Sequence, residues 1–400
     1  MLLSGSAAGK EARAARPITY QEARPVAAAL RERLPKGLSG RTDAELARLW
    51  PSWIAGRDRL VRGRLVLGEA DSLVNLLFFG TSFTAAPRLT AATMRGSDPK
   101  TVEGALQRRL DDLLAALTRG DHSERIALAR ALLAHHGIRP GAPGGRERAA
   151  VFLLENVARV QKEQAAFQAR LQTTALVAPT DQVVARSTLF QDRGIALDTS
   201  LRPAFAIEEA LASPPGLEIA ALDISPLVLD HLRRAGARAA AGDGYVLQLP
   251  RPREGWGAPL VDYWQRFGEA IGEPAEALRP PANAGPIEAR ALRVRPSVAA
   301  AVRPVDLNVV YSRFERPESE RFDLVVATNI LVYYDTFEQC LALANVARMT
   351  APGGLFLTNT LLLELPGGAM RSAGYKTVVF SDAPDDGEHV IFYRRGADER

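Results

Sequence analysis

Apolar and polar positions along this chain follow two different rhythms. Up to about residue 175 the apolar residues recur at helical spacing. ITYQEARPVAAALRERL, residues 18–34, carries one apolar stripe. TDAELARLWPSWIAGRDRLVRGRL continues the pattern after Thr42, an N-cap residue by type. DSLVNLLFF, residues 71–79, is apolar almost throughout behind an Asp-Ser start, which predicts a buried helix ending at Gly80. Residues 101–118 and 123–136 predict two more amphipathic helices, RPGAPGG (139–145) a loop, and residues 146–171 a long helix. No repeated unit of solenoid length is present.

Beyond residue 176, short apolar runs alternate with helical patterns. LEIAALD (217–223) is a strand that ends in an acid, and the helix at 226–235 has proline in its first turn. FDLVVA (322–327) predicts a strand, residues 336–349 a helix, and GGLFLT (353–358) a strand after a Pro-Gly turn. KTVVFS (376–381) and HVIFYR (389–394) flank DAPDDGE and predict an antiparallel hairpin. Strands that alternate with helices predict a mostly parallel sheet covered on both faces. Residues 241–300 break the rhythm with a short helix at 261–270 and the Pro-rich RPPANAGP, and read as an insertion, a lid or a second small layer. The predicted organisation is an all-α N-terminal domain at 1–175 and an α/β domain at 176–400 that holds the insertion.

Composition narrows the function classes. With 47% hydrophobic and 24% charged residues the 400-residue chain is globular in type, not disordered. The net charge of +4 is small and no block of like charges appears, so no nucleic-acid partner is expected. Cys340 is the single cysteine, which excludes intramolecular disulfides and Cys-rich zinc sites. No apolar run approaches the ~18 residues of a membrane span. The apolar run in the MLLSG start is too short for a signal core, so a cytoplasmic location is expected, with an exported form whose signal peptide was missed as the alternative. His135 and His136 sit at a predicted helix end, where imidazolium suits the dipole, and His231 and His389 lack paired ligands, so no metal site is expected. Cys340 falls on an apolar helix face and reads as core. Gly80, Thr81 and Ser82 read as a helix end followed by a turn rather than as an anion cradle.

The most informative stretch is RFDLVVATNILVYYDTFEQCLALANVARMTAPGGLFLTN, residues 321–359. It resembles the C-terminal half of class I S-adenosylmethionine-dependent methyltransferases, in which a strand of this type ends at the substrate pocket, a helix crosses over, and a Pro-Gly-Gly turn enters the next strand. NILVYYD (329–335) and VDLNVV (305–310) are similar to chemotaxis-receptor methyltransferases in particular. LDISPLVLDHLRRA (222–235) resembles the family's second strand and following helix.

The resemblance implies a Rossmann-like sheet with a terminal antiparallel hairpin and S-adenosylmethionine as cofactor. It implies Asp223 on the ribose with Ile224 beside it, Asp306 and Asn308 toward the adenine, and Asn329 at the cofactor and acceptor. Tyr333 or Tyr334 falls on the acceptor side, with Tyr263 and Trp264 of the insertion shaping that pocket. Elementary chemistry agrees. Ligands of open α/β sheets sit beyond the carboxyl ends of the strands, where strand order reverses. A carboxylate accepts two ribose hydroxyls, and methyl transfer from a sulfonium needs mainly in-line positioning. The acceptor, a small molecule or a protein, stays open, as does the oligomeric state.

One family element has no counterpart. The Gly-rich loop after the first strand, where backbone approaches cofactor, is not found: residues 183–190 offer a strand, but 191–201 hold only Gly194 before a helix at 203–212. The whole chain also resembles a family of uncharacterised bacterial proteins with a glycine-bearing strand-loop-helix near this point, which makes this chain a shortened member. Two readings follow: a methyltransferase of unknown acceptor, or an inactive relative that serves as a binding or scaffold module. Asp335, just before Thr336, reads as a helix cap, and Gly353 and Gly354 as turn residues.

Overall fold

A computed structural model describes residues 2–4, 15–34, 37–79, 114–115, 130, 133–134, 136–177, 197–198, 218–224, 226–251, 257–277, 289–379 and 387–396. In chain order the strands and helices begin with β1 (Leu2–Ser4), β2 (Arg16–Pro17), α1 (Tyr20–Arg33), α2 (Asp43–Phe79), α3 (Gly145–Thr174), β3 (Leu197–Asp198) and β4 (Glu218–Asp223). Then come α4 (Pro226–Ala240), β5 (Tyr245–Pro250), α5 (Ala258–Arg266), β6 (Gly272–Ala275), β7 (Ala289–Val294), α6 (Pro296–Ala301) and β8 (Val302–Asp306). The last are β9 (Ser312–Arg313), β10 (Phe322–Ala327), α7 (Thr336–Met349), β11 (Thr350–Thr358), β12 (Met370–Val379) and β13 (Gly387–Arg395).

The described residues form a mixed α/β fold with three sheets. The largest has eight strands in the order β3-β12-β13-β11-β10-β1-β4-β8. β4 pairs with β8 in parallel, as β10 does with β11. β13 lies antiparallel between β11 and β12, so the predicted hairpin is present, with strands longer than the apolar runs suggested. The centre was not foreseen: β1 runs antiparallel to both β4 and β10, with Leu2 opposite Ala220 and Val325. The insertion forms its own sheet, β5-β7-β6, and a third sheet pairs β2 with β9.

Two compact units emerge. One comprises Met1–Val61, Leu171–Glu276 and Arg290–Arg400; the other comprises Arg62–Arg170 and Ala277–Ala289. The division therefore differs from the expected boundary at residue 175. Residues 18–61 contribute Ile18, Leu30, Trp50 and Ile54 to the same core as Val325, Phe337, Phe356 and Tyr393. An amphipathic stripe announces that a face is buried, but not what it is buried against. In the second unit Leu114, Leu133, Ala149, Leu153 and Phe167 are buried, and His136 packs on Phe152.

Several elements match the sequence pattern residue for residue. β10 and α7 fall where FDLVVA and TFEQCLALANVARM placed them. The APGG turn interrupts the β10–β11 register, and Gly353 adopts φ +77°. One expectation fails: residues 71–79 are the end of the continuous helix α2, not a helix of their own. Most of the helices expected at 101–118 and 123–136 lie outside the described residues, as do Gly80–Ser82 and the segments at 183–190 and 203–212. Among the described residues no helix is long and apolar enough to cross a membrane.

Candidate functional site

The carboxyl edge of the eight-stranded sheet brings two polar pairs forward. On one side of β1, Asp223 and Asp306 are register partners at the ends of the parallel strands β4 and β8. The Leu307 amide donates to the Asp223 carbonyl at 3.1 Å, which fixes the turn out of β8 against the end of β4. Asp223 is half-buried and Asp306 exposed. Ile224 packs against the main core. Neighbouring parallel strands lie ~4.8 Å apart, so two like charges share this edge, and each gains from hydroxyl or cationic partners.

On the other side of β1, Asn329 follows β10 and Asn359 follows β11. The Asn329 amide donates to the Asn359 side-chain oxygen at 2.7 Å, and the Asn359 amide group returns a bond to the Asn329 side-chain oxygen at 2.6 Å. Asn329 adopts φ +58°, a left-handed conformation that asparagine tolerates better than most residues. Residues held this way concentrate at functional sites. Thr358 ends the strand predicted at 353–358. The structure turns Thr358 inward, its hydroxyl accepting the Thr360 amide, and gives the edge to Asn359.

The remaining candidates separate into exposed and buried. Tyr333 is 37% exposed beside exposed Ile330 and Val332, an apolar lip at the end of β10. Tyr334 and Asn308 instead point inward at 4% exposure each. The Tyr334 hydroxyl donates to the Asn308 side-chain oxygen, which also accepts the Val310 amide, while the Asn308 amide group donates to Asp58. These two residues are occupied in the interior. In the insertion, Trp264 stacks on Phe267 and Tyr263 tilts against the same ring.

Beneath the Asn329–Asp335 loop lies a buried ionic cluster that the sequence did not reveal. Arg57 of α2 grips Glu338 of α7 with two bonds of 2.5 Å, and both side chains are almost wholly buried. Arg57 also donates to the Leu171 carbonyl and the Thr174 hydroxyl. The Tyr311 hydroxyl donates to Glu338 as well. Asp335 caps α7: its carboxylate accepts the Glu338 amide at 2.9 Å, and Glu338 accepts the Asp335 amide at 2.8 Å. That reciprocal box was half legible, since Asp335 and Glu338 have the spacing of a capping box. Arg57 carried no signal, because arginine on a helix ordinarily faces water.

Burial opposes the charge on Arg57, but the bonds and charge of Glu338 outweigh it, so its pKa is held above the usual value. Burial, reinforced by Glu338, pushes Asp335 up to about 8. Its Oδ2 accepts no hydrogen bond among the described residues but lies 3.6 Å from the Arg57 guanidinium, whose charge pulls the other way. Between about pH 4 and 8 the folded protein thus holds a proton that the unfolded chain has released, and stability falls as pH rises through that window. Asp335→Asn keeps an equally good cap. It is expected to flatten this dependence, so that its stability relative to the parent rises from pH 5 to pH 8 by about 1.4 kcal/mol for each pH unit inside the window. Urea titrations of both proteins from pH 5 to 9 check this; parallel pH profiles would contradict it.

Among the described residues no cluster of three or more His, Cys, Asp or Glu could hold a metal ion. Cys340 is buried, and burial raises its thiol pKa, as a core cysteine requires.

No family model matches the chain, and no curated protein matches it. Among solved structures, the crystal structure of the N-methyltransferase NodS from Bradyrhizobium japonicum WM9 aligns with 24% of this chain at 17% identity and a TM-score of 0.19. The alignment spans 61% of that protein's length, under two thirds.

Proposed function

We propose that this chain is a class I methyltransferase-like protein that takes S-adenosylmethionine at the carboxyl edge of its large sheet and acts on an unidentified acceptor. The observation that carries the reading is the Asp223–Asp306 pair, in register at the ends of parallel strands beside the reversal of strand order. Such reversals are where open α/β sheets bind nucleotides. The strand order supports the reading too: outward from β1 run β4 and β8 on one side, β10 and β11 on the other. Asp223 would accept the two ribose hydroxyls, with Asp306 toward the base. Asn329, held by Asn359, and the exposed Tyr333 would face the acceptor. Bound cofactor would supply the methyl group on a sulfonium, and the residues here would only need to hold the acceptor in line with it.

The fit is good for the ribose and poor for the rest of the cofactor. No glycine turn follows a central parallel strand among the described residues, because the central position holds β1, which leaves the sheet at the opposite edge, with Ser4 beside Glu218. That observation favours a second reading, a relative that binds a ligand at this edge without catalysis. Calorimetric titration with S-adenosylmethionine, with and without labelled acceptor extracts, separates the two. Binding is expected, and Asp223→Ala should weaken it roughly 10–100-fold, the worth of hydrogen bonds to a charged group. Binding without methyl transfer would support the second reading. No binding at millimolar cofactor would overturn the first.

A further inference from the structure

A cavity of about 480 Å³ lies away from the Asp223 edge, between α1, α7 and the segment that joins β11 to β12. Its origin lies in the connection. β11 and β12 run parallel to each other, since both are antiparallel to β13. Parallel strands of one sheet are usually joined through a helix that covers the sheet between them. Here residues 359–369 form no helix. That segment crosses beside α1 and α7 as an irregular chain, and a space remains among the three.

The walls are aliphatic: Val26 and Ala29 from α1, Ala344 and Ala347 from α7, Leu363 and Leu365 from the connection. Each helix contributes alanine to the lining, where a larger side chain would take up part of the space. Its volume and lining fall in the range of small-molecule sites, which are mostly apolar with few polar groups at the mouth. The polar lining comprises Gln21, Glu22, Arg313, Asn345 and Arg348, of which Gln21 and Arg348 are exposed. Glu22 is already neutralised by Arg16 and Arg313, and Arg313 is held by Glu22, Glu315 and Asn345. Arg348 is exposed and makes no hydrogen bond or ion pair among the described residues. An aliphatic cleft with one uncommitted cation at its rim suits a ligand with one apolar chain and one negative head.

We propose that this cavity binds a free medium-chain fatty acid, the chain between Ala29 and Ala344 and the carboxylate on Arg348. The site is independent of the cofactor reading. Displacement of an anionic naphthalene-sulfonate fluorophore from the full chain tests it, with dodecanoate, dodecyltrimethylammonium and vesicles of anionic phospholipid as competitors. Dodecanoate should displace the fluorophore and raise the melting temperature, and the cationic detergent should do neither. Ala344→Phe and Ala29→Phe, both at half-buried positions, should fill the space and abolish the effect of dodecanoate. Arg348→Ala should weaken it roughly tenfold. Binding by either folded filling variant at the original affinity would overturn the placement. Equal binding of the cation, or displacement by vesicles but not by dodecanoate, would overturn the free-acid assignment. If S-adenosylmethionine fails to bind while dodecanoate binds, the cofactor reading falls and this one stands.

Discussion

Replacing Arg57 with methionine is expected to remove about 3–5 kcal/mol of stability, because it strands a buried carboxylate. Glu338 is wholly buried and accepts two bonds from the guanidinium. Without Arg57 it keeps the Tyr311 hydroxyl and the Asp335 amide, but no positive charge. Asp335 stands beside it and adds repulsion in its ionised form. The Arg57→Met/Glu338→Gln double variant should recover much of the loss, since the glutamine oxygen can still accept the cap bond and no charge is left unpaired. A coupling of 2 kcal/mol or more in the double-mutant cycle is the expected signature of direct contact. Urea unfolding followed by tryptophan fluorescence measures it, with Trp53 packed on the Tyr311 ring as a local reporter. A loss below about 1 kcal/mol for Arg57→Met would show that the pair is not buried as described.

Trp50→Ala is expected to cost a similar amount, about 3–5 kcal/mol, by opening a cavity in the core. The indole is 4% exposed, its ring meets those of Tyr20, Trp53 and Phe337, and its N–H donates to the Ile18 carbonyl at 2.9 Å. Trp50→Phe keeps most of the apolar contact and leaves that carbonyl unpaired, so a smaller loss of about 1–3 kcal/mol follows. The informative readout is hydrogen exchange. Because Trp50 shares its core with α7, amide protection in α7 should fall together with that in α1. If α7 stayed fully protected while α1 opened, residues 18–61 would belong to a helical unit separate from the sheet, in keeping with the all-α domain expected at 1–175.

That contrast marks what the sequence can show. β10 and α7 were readable because each has its own boundary signals: a polar residue on either side of FDLVVA, and Asp335 as a cap before TFEQCLALANVARM. The Asp223 edge was readable because an acid ends an apolar run. What escaped depends on partners distant in sequence. Arg57 meets Glu338 across most of the chain, and nothing near either residue announces it. Asn359 matters only because β11 lies beside β10. Asn308 and Tyr334 carried the right residue types for a pocket, yet they bond to each other inside the protein. Three apolar or small residues at Leu2–Ser4 were too few to count as an element, and they hold the middle of the sheet.

That middle strand bears on how the chain folds. Leu2 must find Ala220 and Val325, partners made long after it. Pairings of such sequence separation bear a large loop-closure entropy and slow folding. β4 with β8, and β10 with β11, can each pair sooner, because their partners lie closer along the chain. The two halves of the sheet are therefore expected to form separately and to be joined last, by β1, in the slow step of refolding.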